Sequence, residues 1–208
     1  MEEKREIVYS DISSASRKQP YDAMVYIDGT GVIAVDSNGK VIARGIAGED
    51  DTTVIQAAID SLRTNGLLLV RGSFVIDSEL LLNKNKYLDL TGSNFDNSPN
   101  TGYCFKLYIG ATSYARDIHI NGGTITGGGG GICLLGAKQC TLSNISISNC
   151  NIGLDIDGAN SGTWYNTYSN ITTYNCSDKG VYIHTSGTGS SINATFLGGE
   201  IRGNGTGI

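Results

Sequence analysis

The chain has 208 residues, 39% of them hydrophobic, which is enough to bury a substantial core in one elongated domain. Charged residues make up only 17%, the net charge is -5 and no run of Lys and Arg is present, so a nucleic-acid backbone is not an expected partner. No apolar run approaches the roughly 18 residues needed to span a bilayer, and the polar start MEEKREIVYSDISSASRKQP lacks the apolar segment of a secretory signal.

Gly 29 against Pro 2, with Ser, Thr and Asn left to cover the outside, predicts many short strands joined by tight turns. Residues 1–20 read as a flexible arm, charged and without hydrophobic periodicity. Residues 21–46 read as a hairpin leader, because MVYIDGTGVIAVDSNGKVIARG places Asp28-Gly29 and Asn38-Gly39 between apolar runs. The period then changes. In GEDDTTVIQAAIDSLRTNG, residues Val54, Ile55, Ala58, Ile59 and Leu62 share a helical stripe, which predicts a helix over 50–66 capped by Asp50 or Asp51 and ended at Asn65-Gly66. After it, GLLLVRGSFVIDSELLL and KYLDLTG read as compact strands.

The second half contains an internal repeat. Aligning Gly131, Gly153, Gly180 and Gly207 brings GICLL, GLDID, GVYIH and GI into register, with Ile125, Ile147, Thr173 and Ile201 superimposed upstream. Single coils of this size cannot bury an apolar face, whereas stacking them about 4.8 Å apart buries a continuous core and pairs every strand. The expected fold is all-β, a right-handed parallel β-helix over 47–208 with its helix as a cap and a small antiparallel element before it. Period-two alternation points Leu154, Ile156, Val181 and Ile183 inward and Asp155, Asp157, Tyr182 and His184 outward. Asn149 over Asn175 and Cys150 over Cys176 should form ladders at the turns. Ile208 falls on the first inward position of a new strand, which predicts further coils beyond it or cover by another chain. The five cysteines form no CxxC pair and read as small core residues.

DDTTVIQAAIDS followed by GLLLVRGSFVIDSELLL resembles the opening of pectate-lyase-like β-helix proteins, including viral tailspikes and surface proteins. The resemblance implies a polysaccharide-related role, as a lyase, a hydrolase or a non-catalytic recognition module. It also implies a homotrimer as an expected assembly and a virion or extracellular surface as the expected location. The Asn-Thr-Asp, Gly-His-Gly and Arg-Ile-Lys tripeptides of polygalacturonase-type members do not occur here.

Two groups of residues could carry function. Asp155 and Asp157, two apart on one strand, lie about 6.6–7 Å from each other, near the separation that lets water sit between an acid and a base in inverting glycosidases. His184 beside them would be favoured in its protonated form and suits a proton donor. The same two aspartates could instead hold a calcium ion, or all three side chains could simply be solvated on an open sheet. The second group is aromatic: Trp164, Tyr165 and Tyr182 suit stacking against sugar rings.

Overall fold

The computed structural model describes residues 19–108, 114–158, 162–186 and 192–206. The arm expected at the start lies almost wholly outside these residues, as do Gly207 and Ile208. Three antiparallel strands open the structure, β1 (Ala23–Asp28), β2 (Gly31–Asp36) and β3 (Val41–Ile46), followed by α1 (Asp51–Ser61). Successive coils then run β4 (Gly66–Arg71), β5 (Ser73–Val75), β6 (Leu80–Leu82); β7 (Lys84–Asp89), β8 (Asn94–Asp96), β9 (Tyr103–Leu107); β10 (Ala115–Asn121), β11 (Thr124–Thr126), β12 (Gly130–Leu135). After them come β13 (Ala137–Lys138), β14 (Thr141–Ser148), β15 (Ile152–Asp157); β16 (Thr163–Tyr174), β17 (Lys179–His184); and β18 (Ile192–Arg202).

Every pairing from β4 onward is parallel, and the coils form a β-solenoid. One sheet orders β17-β15-β12-β9-β6; the other gathers thirteen strands and takes in the leader, because β1 pairs parallel with β4. The antiparallel strands therefore extend a solenoid sheet instead of standing apart from it.

The interior is a set of side-chain columns. Phe74, Phe95, Ile125, Ile147 and Thr173 follow one another across neighbouring strands and are buried, and Ile201 continues the column as an exposed residue on the edge strand β18, in the register the repeat predicts. Phe74 stacks on Phe95 at 5.8 Å between ring centroids, and Phe105 meets Phe95 edge-on at 5.3 Å. Each fully buried Leu, Ile or Phe contributes roughly 2 kcal/mol of transfer free energy before entropy is counted. Leu154, Ile156 and Val181 are buried as expected, but Ile183 is 40% exposed. It sits on β17, the edge strand of the five-stranded sheet, where no described strand covers it.

The repeat glycines are steric necessities. A Cβ on Gly153 would lie 2.4 Å from the carbonyl oxygen of Gly180, and one on Gly131 would lie 2.5 Å from that of Gly153. The chain bends instead at left-handed corners, and these also stack. Asn85, Asp117, Gln139 and Tyr165, with φ of 52°, 53°, 56° and 58°, form one column of corners; Asn149 and Asn175 belong to another. Beside the latter pair, Cys150 and Cys176 place their sulfurs 3.2 Å apart in the expected ladder.

The helix departs from its expected form at both ends. It stops at Ser61, because Leu62 takes an extended backbone and is buried, while the Lys86 ammonium donates to the carbonyls of Ile59 and Leu62. Neither aspartate caps it through a side chain. Asp50 accepts from the Ile46 amide and Asp51 from the Val75 amide, so both tie the helix to neighbouring strands. Val54, Ile55, Ala58 and Ile59 are buried, and α1 packs against β1, β2, β3, β5 and β6.

Candidate functional site

Asp155 and Asp157 alternate with the inward Leu154 and Ile156, so they point outward, but they are not solvated. Each is only 6% exposed. Asp155 is roofed by two partners: the Tyr103 hydroxyl donates to Oδ2, and His184 Nε2 lies 2.9 Å from Oδ1. Asp157 accepts from the Ser186 amide at 2.9 Å and the Ser186 hydroxyl at 2.6 Å.

Tyr103 is the partner that sequence reasoning missed. It lies on β9, two strands from β15, and reaches Asp155 by laying its ring over Gly130 of the intervening β12. A Cβ on Gly130 would stand 2.3 Å from the ring, so a bare backbone there opens the path. Gly130 and Gly131 are the first two residues of β12. Burial and the neighbouring Asp155 carboxylate push the Tyr103 hydroxyl far above its usual range, which keeps it a donor. Burial, then Asp155, likewise raises the Cys133 thiol, which lies in register with Asp155.

The space expected to hold a water between an acid and a base is taken by an imidazole. His184 Nε2 faces Asp155, and Nδ1 lies 4.0 Å from Asp157 Oδ1. The His184 ring in turn stacks on Tyr182, 4.0 Å between centroids, with the Lys179 ammonium 4.9 Å from the Tyr182 ring. This arrangement fixes a rigid aromatic surface and does not oppose two solvent-facing carboxylates. Nor does it fit calcium. Hydroxyl, amide and imidazole groups face all four carboxylate oxygens, and among the described residues no group of three or more His, Cys, Asp or Glu is placed to hold a metal ion.

Trp164 and Tyr165 stand apart from this cluster, on β16 of the thirteen-stranded sheet. There the Lys138 ammonium sits between two rings, 3.3 Å from the centroid of Tyr114 and 4.1 Å from that of Trp164. Tyr165 is 69% exposed. Tyr182 thus belongs with the aspartates, and Trp164 with Tyr114 and Lys138 forms a second aromatic group. A further open groove, about 550 Å³, is lined by Thr91, Asn94, Asn121, Thr124, Asn144 and Ser146 and has no aromatic wall.

No family model matches this chain, and no curated protein or solved structure is significantly similar to it.

Proposed function

We propose that this chain is a carbohydrate-recognising β-solenoid module whose ligand docks on Trp164 and Tyr165. The observation that carries this reading is the backbone of Tyr165. Left-handed φ costs an ordinary L-residue roughly 1–2 kcal/mol and is tolerated best by Gly, Asn and Asp. The equivalent corners use Asn85, Asp117 and Gln139, yet here a bulky aromatic occupies the position and is 69% exposed. Strain kept at a solvent-facing aromatic supports a binding role. Sugar rings stack on such faces while neighbouring amides and carboxylates bond their hydroxyls.

The resemblance to pectate-lyase-like proteins supports a polysaccharide as ligand. On this reading the module serves a viral spike or fibre or a cell surface, and a homotrimer is the assembly to look for. Recognition is preferred over catalysis because His184 fills the gap between Asp155 and Asp157. A glycan array tests the proposal: wild type should give a discrete set of bound glycans, and Trp164→Ala should lose them. An array with no signal, or with signal indifferent to Trp164, overturns it.

A further inference from the structure

Sequence alone shows no basic run, but coiling assembles one. Lys84, Arg116 and Lys138 are widely separated in the chain, yet Lys84 pairs with Arg116 and Arg116 with Lys138 across adjacent strands, and Lys138 pairs with Trp164. Ala115 and Ala137 beside them are buried, so the three basic side chains point outward; Lys84 and Arg116 are exposed and Lys138 is half-buried. We propose that this column is a binding ladder for a linear anionic glycan carrying carboxylate or sulfate groups along its length, a proposal that rests on the carbohydrate-recognition reading above.

Like charges directly opposite each other on neighbouring strands are destabilising. In a chain of net charge -5, three in a row are not explained by surface composition. Compensation within the protein is slight. Lys84 and Lys138 have no ion-pair partner among the described residues, and Arg116 has only the exposed Asp117 at 3.8 Å. Lys138 is moreover held in place, its ammonium clamped between the rings of Tyr114 and Trp164. A preorganised cation loses less freedom on binding an anion than a loose one.

The ladder steps about 4.8 Å per coil, comparable to the advance of an extended sugar chain per residue, and it leads directly onto the Trp164–Tyr165 surface. Charge pairing and ring stacking therefore lie on one line. A single-stranded nucleic acid is the less fitting polyanion, because it needs aromatic rings spaced along the whole track for successive bases. Here the rings that contact a ladder cation, Tyr114 and Trp164, lie at its Lys138 end.

The test compares binding of dextran sulfate, alginate, neutral dextran, a single-stranded oligothymidylate and a glycan bound on the array. Wild type should bind dextran sulfate or alginate at least tenfold more tightly than neutral dextran, and which of the two is preferred identifies sulfate or carboxylate. Lys84→Gln/Arg116→Gln/Lys138→Gln should remove that preference and flatten the dependence of log affinity on log salt by about one unit per cation removed. Its melting temperature, read alongside, should not fall much below wild type. Unchanged anionic-glycan affinity in a folded triple variant overturns the ladder, as does oligothymidylate binding as tight as that of dextran sulfate. If array glycans still bind while the anionic preference is missing, only the ladder fails; if no glycan binds at all, the recognition reading fails with it.

Discussion

Tyr103 and Asp155, 52 residues apart in sequence, are joined by a hydrogen bond that crosses an entire intervening strand above Gly130. The carboxylate is buried, so its donors matter. Tyr103→Phe removes one of them and leaves His184, and the expected loss is about 1.5–3 kcal/mol, the range for a hydrogen bond to a charged group. Urea denaturation measures it. A Phe variant as stable as wild type would mean that this bond does not hold the outer face together.

The repeat glycines give a prediction of the opposite kind, in which added atoms destabilise. Gly153→Ala places a methyl group 2.4 Å from the backbone oxygen of Gly180, which cannot swing away as a side chain would. Strain of this kind typically costs about 1–3 kcal/mol, and the melting temperature should fall accordingly. Gly39→Ala, where no atom lies within 4 Å but φ is +78°, is the companion measurement. Its loss isolates the backbone conformation from the steric clash.

Acid sensitivity should show at Asp89. Burial alone would raise its carboxyl, but donors from Thr91 and the Arg71 guanidinium, 2.9 Å away, outweigh that and hold it below its usual value. A folded-state value below the unfolded one means that the stabilisation is complete above the unfolded value of about 3.9 and disappears as pH falls through the folded one. The stability gap between wild type and Asp89→Asn should therefore be constant from pH 7 to 5 and narrow below pH 4. Denaturant titrations at each pH would reveal it. A gap independent of pH would assign the effect to packing.

Tyr165 links strain to binding. Tyr165→Asn puts at this corner the residue type found at the equivalent Asn85. Stability should rise by about 1 kcal/mol as the left-handed backbone is relieved, while glycan binding falls. A variant that loses stability would show that the Tyr165 ring is held by packing and not for a ligand.

Much of the fold could be read from sequence because the close stacking of its strands demands glycine at particular positions. Gly131 and Gly153 are required by close backbone approach and Gly180 by the side chains of Asn204, Ile201 and Thr173, so they mark the register wherever loops vary. The column Ile125–Ile147–Thr173 follows from that register. The corner column Asn85–Asp117–Gln139–Tyr165 was hidden because four different residues fill one conformation. The burial of Asp155 was also hidden: alternation shows that a side chain points outward, but not that a tyrosine two strands away lies over it. The Lys84–Arg116–Lys138 column needs coil lengths in the first half, where no glycine repeat supplies them. The helix end was misplaced because Asn65-Gly66 is a turn signal that serves β4, whereas Leu62 leaves the helix to bury its side chain.

The central claim, that saccharide docks on Trp164 and Tyr165, can be tested by the protein's own fluorescence, since Trp164 is the only tryptophan in the chain. Titrating a glycan identified on the array into wild-type protein should give a saturable change in tryptophan emission that matches the affinity measured by calorimetry, and Tyr165→Ala should weaken both together. Calorimetric binding with unaltered Trp164 emission, or with affinity untouched by Tyr165→Ala, would contradict the account and place the ligand elsewhere on the solenoid.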